Sequence, residues 1–269
     1  MSVSAVASGP AVRTVCEVKM LSDEQLLRYS RTILLPEVDI AGQCAWQAAR
    51  VLIVGLGGLG GPAAAYLAAA GVGELVLVDD DRVDLSNLQR QIIHAEAALG
   101  RAKVHSAAAT LRAINASVRI TPVERRLQEG ALAEQVGAVD LVLDCSDNFA
   151  TRFALNRACF AAAVPLVSGA AIRFDGQLSA HDPRDPHSPC YRCLYAEGDE
   201  SDLGCSESGV FPPLVGVIGS MQAMEALKLL AGIGEPLVGR VLLLDGKRMQ
   251  WRSLRLPPDP ECPICGRKT

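Results

Sequence analysis

Four groups of residues have types and spacings that suit chemistry. The first is the run Val51 to Pro62, VLIVGLGGLGGP, where an apolar stretch ends in Gly55, Gly57 and Gly60, with Gly58 and Gly61 added. Glycines between a strand and a helix let backbone N–H groups approach an anion at the helix N-terminus. Alone, this pattern separates neither NAD from FAD nor either from another nucleotide, and a tight β–α turn is the plain structural alternative. The second is Asp79, at the end of the next apolar run, where a carboxylate can accept from ribose hydroxyls of NAD or ATP equally. The third comprises Asn87 and Arg90 in DRVDLSNLQRQ, Lys103, and Asp147 with Asn148 in DCSDNFATR. A triphosphate carries more charge than a pyrophosphate and needs side-chain cations, and Asp147 can hold magnesium against phosphate oxygens. Ordinary surface charges, and a helix N-cap at Asp147 or Asn148, are the alternatives. The fourth is Cys190-x-x-Cys193 with Cys262-Pro-Ile-Cys265, whose four thiolates match the usual structural zinc set. Two disulfides or free thiols are the other readings.

These groups need elements to position them. LSDEQLLRYSRTILLP predicts a helix with Ser22 as N-cap and Pro36 beyond its end. RVLIVG is a short buried strand, GPAAAYLAAAG a helix closed by Gly71, and ELVLVDDD a second strand, together a β-α-β unit with glycines at its first turn. Helices at 100–114, 128–136 and 151–162 alternate with strands at 117–123, 140–145 and 164–169. This alternation predicts a parallel sheet covered on both faces. Beyond it, DGQLSAHDP reads as a strand and turn, 182–212 as loop-rich, and LVGVIGSMQAMEALKLLAG as a long apolar helix. GRVLLLDG and MQWRSLRL predict a hairpin across Gly246-Lys247. The expected fold is α/β, a Rossmann-like mixed sheet that is parallel in the first half and partly antiparallel in the second, with helices on both faces. With no internal repeat or low-complexity linker, residues 21–269 are expected to form one domain after a disordered lead-in, 1–20.

Bulk properties narrow the class. The 269 residues are 49% hydrophobic and 21% charged, with a net charge of −4, an ordinary globular composition that argues against a non-specific nucleic-acid binder. No apolar run approaches the ~20 residues needed to span a bilayer. MSVSAVASGPAVRTVCEVKM has no basic segment before its apolar residues, so it is a poor secretion signal. Nine cysteines, an odd number, several of them in apolar runs, suit a reduced, cytoplasmic protein more than a disulfide scaffold.

RYSRTILLPEVDIAGQ, VLIVGLGGLGGP, DDDRVDLSNLQRQ, DCSDNFATRF, PLVSGAAIRFDGQ, CYRCL, GVIGSMQAMEALKLLAG and CPICG occur in the order seen in the bacterial ubiquitin-activating-like adenylyltransferases. The chain resembles that MoeB/ThiF family from about Leu21 to Gly266. The resemblance implies ATP-dependent adenylation of the C-terminal Gly-Gly tail of a small ubiquitin-fold sulfur carrier, with the small subunit of molybdopterin synthase as the expected carrier. A thiazole-pathway carrier is the alternative within the family. By position it implies that Gly58 touches the nucleotide, Asp79 binds ribose, and Ser86, Asn87, Arg90 and Lys103 contact nucleotide and phosphates. It further implies that Asp147, with Asn148 beside it, coordinates magnesium, and that Arg31 is inserted by a partner protomer, making the active unit a homodimer. Cys190, Cys193, Cys262 and Cys265 would hold structural zinc. Cys205 lies in a region where some relatives use a catalytic thiol, although a loop thiol is the plainer reading. The sequence holds no rhodanese domain after CPICG, so sulfur is expected from a separate donor, a cysteine desulfurase or rhodanese. An NAD-dependent oxidoreductase and a non-catalytic scaffold for a ubiquitin-like partner are the readings from other classes.

Overall fold

A computed structural model describes residues 21–196 and 208–266. Its centre is an eight-stranded sheet: β1 (Arg50–Val54), β2 (Glu74–Val78), β3 (Arg119–Val123), β4 (Leu141–Asp144), β5 (Leu166–Ile172), β6 (Asp175–His181), β7 (Arg240–Asp245) and β8 (Gln250–Arg255). The spatial order is β3-β2-β1-β4-β5-β6-β7-β8. Strands β1 to β5 pair in parallel, and β6 to β8 continue the sheet antiparallel. The mixed sheet expected from the alternation is therefore the one observed. Pro122 sits within β3, which is tolerated because β3 is an edge strand of the sheet among the described residues.

Strand side chains alternate between two apolar layers, as the period of two requires. Val51, Ile53, Leu75, Leu77, Leu141 and Leu143 share one layer with α3 (Asp39–Ala48), α4 (Gly60–Ala69), α5 (Lys103–Ile114) and α8 (Pro212–Ala231). Leu52, Val54, Val76, Val78, Val142 and Leu166 share the other with α6 (Glu129–Gly137) and α7 (Phe149–Ala162). Strands buried on both faces read as continuous apolar runs, which is why RVLIV and ELVLV carry no polar alternation.

Three features depart from the sequence reading. The N-terminal helix is two pieces, α1 (Asp23–Arg28) and α2 (Ser30–Ile33). Ser22 does cap α1, in a capping box with Gln25. The break falls at Tyr29, whose ring is buried and whose hydroxyl accepts from Asn115 Nδ2 at 2.9 Å; this long-range anchor outweighs local helix propensity. Helix α3 was not expected, and it is held by Trp46 Nε1 donating to the Leu227 carbonyl at 2.9 Å. Helix α8, 20 residues with a mean hydropathy of 1.4, is long and apolar enough by length and composition to cross a membrane, contrary to the expectation that no such run exists. Leu214, Ile218, Ala223 and Ala226 instead bury its apolar side in the core layer.

The tightest point of the fold lies between β1 and α4. Gly55 has φ +93°, and a Cβ on Gly60 would stand 1.8 Å from the Gly55 carbonyl oxygen. Substitution Gly60→Ala is expected to cost about 3 kcal/mol or more. A urea midpoint close to that of the unmodified protein would show that the turn can relax.

Candidate functional site

In the order β3-β2-β1-β4 the chain direction of winding reverses between β1 and β4, and in open α/β sheets ligands bind outside the carboxyl ends of strands at such a switch point. A cavity of about 1100 Å³ opens there. Gly57, Gly58, Asp79, Arg90, Lys103 and Asp147 all line it, with Asn148 beside them. The cavity extends past the ends of β5 and β6 to Gln177, Tyr195 and Arg252.

The glycine loop is held through one peptide unit on each side of Leu56. Leu56 N–H donates to Asp79 Oδ2 at 2.6 Å, and the Leu56 carbonyl lies 3.0 Å from His94 Nε2. Asp79 Oδ1 also accepts from Asp81 N–H at 2.8 Å. Burial raises the Asp79 pKa, against these two backbone bonds and Lys103, which lower it. A carboxylate has about four acceptor sites, so Asp79 can brace the loop and still accept from a ligand hydroxyl. The other His94 nitrogen, Nδ1, lies 2.9 Å from Ser106 Oγ in α5. Burial lowers the His94 pKa, against the Leu56 bond that raises it; the neutral ring then carries its proton on Nε2 and accepts from Ser106. Gly58 has a separate packing reason to lack a side chain, since a Cβ there would come within 2.7 Å of Val215.

Lys103 opens α5 and is buried, yet its Nζ reaches Asp81 Oδ2 at 2.7 Å. Arg90 Nη1 donates to the Ser86 carbonyl at 3.0 Å. Ser86 and Asn87 do not line the cavity. They form a one-turn 3-10 helix capped by Asp84, whose Oδ1 accepts from Ser86 N–H and Oγ–H, while Asn87 Oδ1 accepts from Asp84 N–H. In this chain alone they shape the loop that carries Arg90. Arg31 is exposed on α2 and is also absent from the cavity wall.

Beyond β4, Asn148 is the N-cap of α7, its Oδ1 accepting from Thr151 N–H at 2.9 Å. The cap expected as an alternative for Asp147 or Asn148 thus falls to Asn148. Asp147 is exposed toward the cavity with Asn148 Nδ2 3.4 Å away. Its hard oxygens suit magnesium. Arg125 and Arg126, just after β3, also line the cavity and went unnoticed in the sequence, although they obey the same strand-end rule as Asp79 and Asp147. Phe149, Tyr191 and Tyr195 form a tilted aromatic cluster on its far wall; the order CYRCL gave Tyr191 no role beyond its flanking cysteines.

Those cysteines meet in space. The sulfurs of Cys190, Cys193, Cys262 and Cys265 all lie within 4.8 Å of one another, with Cys190–Cys262 at 3.5 Å and Cys193–Cys265 at 3.3 Å. A tetrahedral Zn–S distance of about 2.3 Å requires sulfurs about 3.8 Å apart, so the set fits zinc. Burial pushes the Cys190 thiol up to about 11, so four thiolates crowded here need a cation to neutralise them. Burial also raises the Cys145 and Cys159 thiols, leaving them poor nucleophiles. Cys205 and residues 1–20 lie outside the described residues.

A glycine loop, the cations Arg90, Lys103, Arg125 and Arg126 and the carboxylates Asp79 and Asp147 converge on the switch-point crevice of an α/β protein, with four clustered cysteines elsewhere in the chain. The chain belongs to the ThiF family, whose pattern matches residues 29–264. It is 52% identical over 246 residues to the molybdopterin-synthase adenylyltransferase of Escherichia coli (strain K12), covering 91% of this chain and 98% of that protein. It is 47% identical over 246 residues to the sulfur carrier protein ThiS adenylyltransferase of the same organism, covering 91% and 97%. Its backbone resembles Escherichia coli MccB solved with ATP, with a TM-score of 0.78 over 89% of this chain and 75% of that one. At 22% identity that likeness concerns the fold alone. The motif order, the family pattern and these sequence relatives thus lead to the same family.

Two outcomes follow from this geometry. Removing metal from the purified protein with a strong chelator should lower its melting midpoint by roughly 10 °C, since the clasp joins distant parts of the chain; an unchanged midpoint after demonstrated metal loss would show the clasp to be idle. The fold prefers His94 neutral, so its contribution is complete above the ordinary histidine value and is lost as pH falls below about 6.5. His94→Gln should therefore lose less stability in urea between about pH 7.5 and 5.5 than the unmodified protein, and equal slopes would exclude this role.

Proposed function

We propose that the chain is an ATP-dependent adenylyltransferase that activates the C-terminal glycine carboxylate of a small ubiquitin-fold sulfur carrier, namely the small subunit of molybdopterin synthase. The carrying observation is the convergence of the glycine loop, Asp79, Arg90, Lys103 and Asp147 on one crevice. A hydride-transfer site needs no such set of cations and hard oxygens. The named relatives at 52% and 47% identity support the same activity. Their similar scores keep a thiazole-pathway carrier as the second reading.

The chemistry follows from charge. An α-carboxyl has a pKa of about 3.5, so the nucleophile is ionised at neutral pH and no general base is required. A carboxylate oxygen bonds to the α-phosphorus of ATP, the α–β bridging bond breaks, and its electron pair leaves on pyrophosphate; the acyl-adenylate remains. One anion attacks another, so the protein's task is alignment and neutralisation. In this reading glycine-loop N–H groups and Gly58 seat the nucleotide and Asp79 takes the ribose. Arg90 and Lys103 face the phosphates. Lys103 has three N–H donors, enough to keep Asp81 and still meet an oxygen. Asp147, with Asn148 beside it, would hold magnesium, which supplies further charge neutralisation when bound. Ser86 and Asn87 support the segment that aims Arg90.

Arg31 acts from a second protomer in this reading, and the active unit is a homodimer. In support, Leu27, Leu34, Leu35 and Ile40, on the same N-terminal segment as Arg31, are all exposed large apolar residues, a pattern associated with association surfaces. The four-cysteine set holds structural zinc. Sulfur comes from a separate donor, a cysteine desulfurase or rhodanese, and the protein works in the cytoplasm, away from membranes and nucleic acid. Cys205 is assigned no step.

The test is ATP–pyrophosphate exchange with a panel of sulfur-carrier proteins. Exchange should depend on one carrier, and Arg90→Ala or Asp147→Ala should lower it by about 100-fold or more while the fold survives. Near-normal exchange in either folded variant would remove that residue from the mechanism.

A further inference from the structure

Directly behind the proposed magnesium ligand lies a buried ion pair whose Arg152 also borders the cavity. Asp144 is fully buried at the end of β4, and Arg152, on the second turn of α7, is 6% exposed. Arg152 Nη1 lies 3.4 Å from Asp144 Oδ2 and donates to Ser168 Oγ at 3.0 Å. Its Nη2 donates to the Ser146 carbonyl at 2.6 Å and the Gly169 carbonyl at 3.0 Å. Ser146 in turn donates its N–H and its hydroxyl to Asp144 Oδ1 at 3.1 and 2.6 Å. Ser168 Oγ donates to Asp144 Oδ2 at 2.7 Å. All three polar groups of Ser146 are therefore bound, and the carbonyl held by Arg152 belongs to the peptide that leads into Asp147.

A buried ion pair is weak evidence for stability, because desolvation offsets much of the attraction. Its arrangement here has a different use. A guanidinium is planar and offers five donors in a fixed fork, and this fork spans the ends of β4 and β5 together with the Ser146 carbonyl. Burial alone would pull the Arg152 pKa down, but Asp144 and the Tyr191 phenol outweigh it and hold it above the ordinary value. The Tyr191 ring also stands 6.0 Å from the guanidinium. The charge is thus permanent and its position overdetermined.

We propose that Arg152 is a positioning residue for Asp147: by fixing the Ser146–Asp147 peptide against Asp144, it sets the carboxylate where magnesium and the nucleotide phosphates meet it. This rests on reading Asp147 as the magnesium ligand. Groups that orient a metal ligand typically change metal affinity by about 10- to 100-fold when altered.

Arg152→Lys keeps a charge for Asp144, but its single nitrogen has three donors where the two guanidinium nitrogens meet four acceptors, on Asp144, Ser168, Ser146 and Gly169. The measurement is binding of a fluorescent ATP analogue, titrated with magnesium, alongside melting and metal content at the cysteine clasp. For folded Arg152→Lys, half-saturating magnesium should rise roughly tenfold while binding without magnesium stays unchanged. Ser168→Ala, which removes a hydroxyl shared by both charges, should give a smaller rise in the same direction. A folded Arg152→Lys with the magnesium requirement of the unmodified protein overturns the inference; if Arg152→Lys does not fold, an unshifted Ser168→Ala does so. Asp147→Asn separates the two layers of the argument. If it abolishes the magnesium dependence and the Arg152 and Ser168 variants leave it intact, only the positioning role fails. If the unmodified protein binds equally well with and without magnesium, the reading of Asp147 fails and the inference with it.

Discussion

The structure depends on keeping a short loop still while leaving its N–H groups free for an anion. Loop backbone usually becomes rigid by hydrogen bonding its own polar groups, which would use up the donors a phosphate needs. Here the Leu56 unit is tied down, its N–H to Asp79 and its carbonyl to His94, while the Leu56 side chain is fully buried. Gly55 N–H donates to the Val78 carbonyl, and the Gly57 and Leu59 carbonyls accept from the first turn of α4. The contact of Gly60 on the Gly55 carbonyl supplies the remaining constraint. The elements that matter for this are consequently distant in sequence. Asp79 follows β2 directly, His94 sits in the segment after Arg90, and Ser106 orients His94 from α5. One helix therefore both presents Lys103 to the cavity and steadies the loop across from it.

The second half of the crevice uses a similar economy. Helix α7 begins with Asn148, which satisfies an N–H left unpaired at every helix start. One turn later Arg152 reaches under the β4 loop, and a further turn on Asn156 Oδ1 accepts from Tyr191 N–H at 2.9 Å. Residues four apart lie on one face of a helix, so a single stripe of α7 connects the carboxylate loop, the buried ion pair and the segment carrying the first cysteine pair. The apolar remainder of the helix, Leu155 and Cys159, belongs to the core layer.

Much of this was legible in the sequence, for identifiable reasons. Strands buried on both faces announce themselves as apolar runs, so β1, β2 and β4 could be placed, and the strand-end rule then gave Asp79 and Asp147. The two CxxC pairs offered the four thiolates of the usual structural zinc set, and the family resemblance favoured joining them over disulfides or free thiols. What escaped was what depends on distant contacts. Tyr29 breaks a well-capped helix because Asn115 holds its hydroxyl. Trp46 fixes α3 through a carbonyl far along the chain. His94 and Arg152 looked like ordinary residues because their partners are backbone carbonyls and side chains on other elements, which local composition does not reveal. Ser86 and Asn87 carry the family motif yet serve the turn in this chain, because a hydroxyl or amide beside an Asp can always satisfy local backbone first.

The cysteine clasp has a consequence for the unfolded chain. Its bridging sulfur pairs are 72 residues apart in sequence, and α8, β7 and β8 all fall between them. A metal retained by both pairs would close that span into a ring even after the sheet has opened. In the chain-entropy view, a ring of this length removes disorder from the denatured ensemble equivalent to about 4 kcal/mol. Within the antiparallel half, β6 and β7 are separated by the long segment that carries α8, so their pairing depends on contacts distant in sequence. The clasp would therefore act as a tether on that half, shortening the search by which β6, β7 and β8 find one another.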